Sequence, residues 1–210
     1  MTSSVPTPVE LFFTEIRPAI ENILKDGLTG YWLGIHYRHA VGRHASRHSR
    51  SKNVQVFCVG FDIRNVGGAN ALLNWTGVAN KIFKPFTRLF KDALERTVGN
   101  RAQCLLFRQG GDEFSAIVAG VPGRSFRESH LRTALNRFSR SVDRYNRRHR
   151  FDRIKNPKEP GKPGVGVVHA YVQLTPHAKI EHAFEKVDTL IEKRKKEHRG
   201  LNEAMKPAPI

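Results

Sequence analysis

The segment Arg108 to Phe114, RQGGDEF, joins two apolar runs, QCLLF before it and SAIVAG after it. Two such runs separated by a glycine pair read as the strands of a hairpin, because only glycine takes the positive φ of a tight turn cheaply. Its tip then carries two adjacent carboxylates, Asp112 and Glu113. Carboxylates held side by side repel unless something positive lies between them.

The rest of the chain supplies partners for this hairpin. Residues 7–24 carry Leu11, Phe12, Ile16, Ile20, Ile23 and Leu24 at roughly helical spacing, with Pro18 dividing or kinking the helix. Tyr31 to about His48 is helix-compatible but mostly basic, and NVQVFCVGFDI reads as a buried strand ending at Asp62. A long helical segment from about Ala71 to Val98 is expected to break or bend near Pro85. A basic helix over 124–148, a Pro/Gly/Lys loop over 154–163, the strand VGVVHAYVQ and a last helix over 178–199 follow. The order strand, helix, hairpin, helix, strand, helix predicts an α+β fold, a ferredoxin-like or palm-type antiparallel sheet with packed helices. In such a sheet the end of the first strand lies beside the hairpin tip, bringing Asp62 near Asp112 and Glu113. Divalent metal ions would relieve that repulsion and suit phosphoryl transfer.

Composition narrows the setting. The chain has 210 residues and 39% hydrophobic content, enough for one core-bearing domain. No run approaches the ~18 apolar residues of a membrane span, and MTSSVPTPVE lacks the features of a signal peptide. A cytoplasmic protein without membrane contact is expected. Cys58 and Cys104 sit inside apolar runs and read as buried thiols rather than a disulfide or metal site. The 36 Lys and Arg against 19 Asp and Glu leave a net charge of +17, concentrated in YRHAVGRHASRHSRSK and RYNRRHRFDRIKNPKEPGK. That surface attracts polyanions, as non-specific nucleic-acid binding or as steering of triphosphate substrates. The spacing of His36, His39, His44 and His48 shares no narrow helical face, so they read as exposed histidines rather than metal ligands.

At this point the residues resemble the GGDEF domains, which include the diguanylate cyclases. KDGLTGYWLG is similar to their opening D-x-L-T-G segment through Asp26, Leu28, Thr29 and Gly30. FDIRNVGGAN resembles the metal strand followed by a nucleotide-contacting Asn, giving Asp62 and Asn70, and RQGGDEF supplies the signature. KVDTLIEKRKKEHRG resembles the closing helix whose Lys195 and Arg199 hold the triphosphate. Helical spacing supports that last match, since Ile180, Phe184, Val187 and Ile191 form an inward row that Lys195 and Arg199 continue.

The resemblance covers about residues 25–202, with 1–24 as an N-terminal helix or linker and 203–210 as a tail. It implies that Asp62, Asp112 and the carbonyl of Ile63 hold Mg²⁺ or Mn²⁺. Glu113 then assists as a metal-contacting carboxylate or as the base for a 3′-hydroxyl, and Gly110 and Gly111 let the backbone approach the nucleotide. The implied reaction condenses two nucleoside triphosphates, GTP by default, into a cyclic dinucleotide such as cyclic di-GMP with release of pyrophosphate. Each domain holds one nucleotide, so the active unit is a homodimer.

The chain departs from the family at three places. Where the family usually reads D-x-D-x-F-K-x-x-N-D, this chain reads DIRNVGGANA, so Arg64 replaces the second Asp and Gly67 the Lys. Ungapped counting puts Ala79 at the family's guanine-reading Asp, while a one-residue gap would put Asn80 there. A carboxylate rewards guanine and penalises adenine, and Ala does neither. The inhibitory R-x-x-D becomes RAQC, with Cys104 in place of Asp, so product inhibition through it is expected to be weak or absent. With only residues 1–24 ahead of the matched region, control is expected from the leading helix, expression or a partner. Two alternatives stand beside the cyclase reading. One is a stand-alone cyclase resembling the minimal CRISPR-type polymerases and using ATP in antiviral signalling. The other is a degenerate GGDEF module that binds nucleotide or nucleic acid without catalysis.

Overall fold

The computed structural model, which describes residues 26–33, 42–43, 54–157, 163–175 and 178–203, is organised around one strand, β2 (Val56–Arg64). Side chains alternate along a strand, and β2 uses both faces. Phe57, Val59, Phe61 and Ile63 enter one core, while Val56 and Cys58 enter a second on the opposite side. β2 pairs antiparallel with β4 (Glu113–Gly120) and β5 (Gly166–Gln173), and β4 pairs antiparallel with β3 (Ala102–Gly110). These four strands form the expected α+β sheet in the order β3-β4-β2-β5.

A fifth strand corrects the expectation for the segment after Tyr31. Trp32 and Leu33 form β1, parallel to β3 through the pairs Trp32↔Phe107 and Leu33↔Arg108, where the residue pattern suits a helix. The Trp32 side chain is buried in the second core, and that burial overrides local preference.

Helix α1 (Val66–Val78) begins five residues before the predicted start and continues through a π-helical turn, Ala79–Phe83, into α2 (Lys84–Val98). The backbone leaves helical values at Asn74, at φ 55° and ψ 173°. Near Pro85 the expected irregularity is the π-helical turn that ends two residues before it. The basic helix α3 runs Glu128–His149, and α4 runs Ile180–Glu203. The first core joins Phe57, Phe61, Phe90, Phe114 and Phe138 to the helices α1 to α3, with Phe61 stacked on Phe114 at 4.9 Å. The second core lies beneath α4 through Phe184, Val187 and Ile191.

Cys58 and Cys104 form no disulfide; Cys58 is buried and Cys104 half-buried, where burial pushes its thiol up to about 12. No helix among the described residues is long and apolar enough to cross a membrane. The predicted helix over 7–24, His36, His39, His44 and His48, residues 158–162 of the loop, the Arg199 side chain and residues 204–210 lie outside the described parts.

Candidate active site

The hairpin tip is a two-residue turn. Gly110 pairs with Glu113, and Gly111 and Asp112 close the loop, with Gly111 at φ +34°. That backbone favours glycine, as the sequence implies. On the facing strand Asp62 pairs with Glu113, and the Ile63 N–H donates to the Asp112 carbonyl at 3.2 Å. The structure therefore brings Asp62, Asp112 and Glu113 to one corner of the sheet.

Asp62 shares the α4 face of β2 with Val56, Cys58 and Gly60. The inward row of α4 lies against that face. A Cβ on Gly60 would stand 2.7 Å from Val187 Cγ1 and 3.0 Å from Ile191 Cδ1, so glycine lets the helix approach. One turn beyond Ile191 the row reaches Lys195, whose ammonium donates to Asp62 Oδ2 and to Glu192 Oε1, each at 2.8 Å. Burial pushes the Asp62 carboxyl up to about 6; the Lys195 contact opposes this, and the nearby Asp112 and Glu113 charges reinforce it. For Lys195, burial acts downward, but the bonds to Asp62 and Glu192 outweigh it and hold the ammonium above its ordinary range.

Asp62, Ile63, Asp112 and Lys195 line a cleft of about 190 Å³, which Arg64, Gly67, Gly68, Asn156 and Pro157 complete. No group of three or more His, Cys, Asp or Glu among the described residues could hold a metal ion unaided. Two carboxylates and a main-chain carbonyl nevertheless fit a hard cation such as Mg²⁺, which usually keeps water and takes substrate phosphates as further ligands. Arg64 also borders this cleft, and its guanidinium lies where a side chain on Gly166 would stand.

Other residues singled out in the sequence lie elsewhere. Asn70 is exposed on α1 and outside the cleft lining, and Gly110, Gly111 and Glu113 are exposed at the turn. Ala79 is buried within the π-helical turn, while Asn80 beside it is exposed and accepts a hydrogen bond from Lys84 at 3.0 Å.

Two supporting contacts escaped the sequence reading. Asn65, in left-handed backbone at φ 62°, donates its side-chain amide to the carbonyls of Ile154, Lys155 and Gly164 at 3.2–3.3 Å. It ties the loop after α3 to the start of α1 and so builds one wall of the cleft. Arg108 bonds Asp26 Oδ2 at 2.8 Å and the Gly111 carbonyl at 3.0 Å, joining the D-x-L-T-G turn to the hairpin tip. Burial alone would raise the Asp26 carboxyl, but hydrogen bonds from Thr29 and the Arg108 charge hold it below its ordinary range. The asparagine preference for left-handed backbone and the isolated Asp-Arg pair were the available signals.

No protein-family model matches the chain, and no curated protein matches its sequence. Solved structures do match its shape. The coiled coil and GGDEF domain of DgcB from Caulobacter crescentus, in complex with c-di-GMP, superposes with a TM-score of 0.65 at 14% identity, covering 91% of this chain and 90% of that one. The diguanylate cyclase SiaD from Pseudomonas aeruginosa, in complex with its activator SiaC, gives 0.64 at 15% identity over 91% of this chain and 65% of that one. The FimX GGDEF domain from the same organism gives 0.59 at 13% identity over 81% and 92%. The sheet order, the hairpin carrying Asp112 and the helix carrying Lys195 together make this a chain with the GGDEF-domain fold.

Proposed function

We propose that the protein is a nucleotidyltransferase that condenses two nucleoside triphosphates into a cyclic dinucleotide. The observation that carries this reading is the convergence of Asp62, Asp112 and Lys195 on one cleft. A buried carboxylate balanced by a lysine, beside a second carboxylate, has mixed charge suited to a metal-bound triphosphate. Asp62 and Asp112, with the Ile63 carbonyl, would hold Mg²⁺ or Mn²⁺, which supplies charge neutralisation at the phosphates.

Lys195 releases Asp62 and turns to the phosphates when nucleotide enters, with Arg199 one helical turn further along. Arg64 stands in for the cation that Gly67 lacks. Glu113, paired across the ladder with Asp62, is placed to receive the proton of the attacking 3′-hydroxyl or to support the metal. A bond forms between that oxygen and the α-phosphorus of the second nucleotide, and the bond to the β-phosphate oxygen breaks to release pyrophosphate. Two copies face one another, since each cleft presents one α-phosphate.

GTP is the default substrate by resemblance, with cyclic di-GMP the product. A second reading, with ATP as substrate, is favoured by the surface next to the cleft. Ala71, Leu72, Ile154, Pro157 and Pro163 border a largely apolar groove that shares Gly68, Asn156 and Pro157 with the cleft, and its described lining contains no carboxylate. A base resting there is not rewarded for the N–H edge of guanine.

The test incubates purified protein with Mg²⁺ or Mn²⁺ and each triphosphate, singly and in pairs, and identifies products by mass spectrometry. A cyclic dinucleotide that disappears in Asp112→Ala is expected, and its bases distinguish the two substrates. Tight nucleotide binding without product would instead make the protein a non-catalytic GGDEF module.

A further inference from the structure

Helix α3 carries six arginines and no lysine, against only Glu128 and Asp143 as acids. Its inward side buries Leu131, Ala134, Leu135, Phe138, Val142 and Asn146. At 3.6 residues per turn, Arg137, Arg140, Arg144 and Arg147 fall on the opposite side in a straight stripe. All four are exposed, and together they line a shallow groove around Asp143.

Asp143 is the one acid among these four arginines, so most of their charge is left uncompensated. Arg137 bonds the Thr97 hydroxyl, Arg140 the Asn136 carbonyl and Arg144 the Ser141 hydroxyl, all at 3.3–3.4 Å. None of the four forms an ion pair with a carboxylate among the described residues. Successive members lie three or four positions apart, where like charges on a helix repel. A solvated helix face ordinarily intersperses both signs at that spacing, as Lys91–Glu95 and Lys193–Glu197 do elsewhere in this chain.

We propose that this face of α3 docks on the phosphate backbone of a nucleic-acid duplex. The 1.5 Å rise per residue sets the four positions about 5 Å apart along the helix axis, so the stripe can follow a run of phosphates. Arginine suits that role because its planar fork bonds phosphate oxygens in pairs. The groove contains no aromatic residue. Tyr145 turns away to meet Phe86 and Phe151 instead. Single-strand binding usually relies on such rings to stack bases. Contacts of this kind fix position on the duplex without reading sequence. The stripe lies across the sheet from α4, so this surface is separate from the Lys195 cleft.

The test measures fluorescence anisotropy of labelled duplex DNA, duplex RNA and the corresponding single strands with the whole protein over a salt series. One variant replaces Arg137, Arg140, Arg144 and Arg147 with Gln. A charge-matched control replaces the exposed Lys81, Arg124, Lys179 and Lys186 with Gln. The stripe variant is expected to lose about tenfold or more in duplex affinity and to flatten the salt dependence by about three to four counterions, with a far smaller loss in the control. Asp143→Asn, which removes the one acid in the groove, is expected to tighten duplex binding severalfold. Comparing DNA with RNA identifies which duplex is preferred. Equal losses in stripe and control variants, or tighter binding of single strands than of duplexes, would overturn the proposal.

Discussion

Lys195 Nζ stands 2.8 Å from Asp62 Oδ2, so the helix that packs on β2 also neutralises the carboxylate at that strand's end. In the proposed function a triphosphate engages this same positive charge, so its binding would exchange one partner for another. Lys195→Ala is expected to weaken binding of a non-hydrolysable triphosphate about ten- to hundredfold, the worth of a charge-assisted hydrogen bond. Lys195→Arg should recover part of it. Isothermal titration calorimetry checks both, and unchanged affinity in Lys195→Ala would remove the lysine from the site.

The same pair predicts how stability follows pH. Burial pushes Asp62 up to about 6 from an ordinary 3.8, despite the pull of Lys195. Between those values the folded protein holds a proton that the unfolded chain has released. Stability contributed by this group is therefore full below about pH 4 and declines as pH rises through 6, by about 2–3 kcal/mol in all. Asp62→Asn lacks that decline. Urea unfolding of the two proteins from pH 4 to 7 should show the variant gaining on its parent as pH rises, and a flat difference would place the Asp62 carboxyl at its ordinary value.

Legibility in the sequence followed periodicity. The alternation in VFCVGFDI and the glycines of RQGGDEF imply β2 and the hairpin, and the register Asp62↔Glu113 follows once those strands are paired through β4. The i+4 row ending in Ile191 likewise leads to Lys195 on Asp62. The departures arise where a few residues answer to distant partners. β1 is only Trp32–Leu33, too short for a period, and rests on β3. The break at Asn74 is a single backbone choice that no apolar pattern records, whereas Pro85 marks the π-helical turn just before it. Asn65 reaches carbonyls about 90 to 100 positions away, which local spacing does not encode.

Arg108 and Asp26, whose side chains are each 13% exposed, should behave as one unit. Removing either leaves a partly buried charge without its partner, and it also frees the Gly111 carbonyl or the Thr29 turn. Asp26→Ala and Arg108→Ala are each expected to cost about 1–3 kcal/mol, with the double variant costing much less than their sum. A double-mutant cycle by chemical denaturation measures that coupling. Additive losses would show that the two segments are held together by other contacts.

Two glycines beside the cleft should respond in opposite directions. At Gly60 a methyl would press on Val187 Cγ1 and Ile191 Cδ1, and Val187 is β-branched with little freedom to turn aside in a helix. Gly60→Ala is expected to destabilise by about 1–3 kcal/mol and to lower triphosphate affinity by pushing α4, and Lys195 with it, away from the cleft, with Val187→Ala restoring much of both. At Gly67, in the first turn of α1, a Cβ would meet nothing within 4 Å. Gly67→Lys should therefore stabilise the helix by about 0.5–1 kcal/mol, the difference between glycine and an ordinary helix former. It also places a cation at the mouth of the cleft, where the related motif carries lysine, and should raise triphosphate affinity severalfold. Calorimetry on the two single variants separates these effects. Tighter packing tolerated at Gly60, or a lysine at Gly67 that leaves nucleotide affinity unchanged, would contradict the placement of phosphates between α1 and α4.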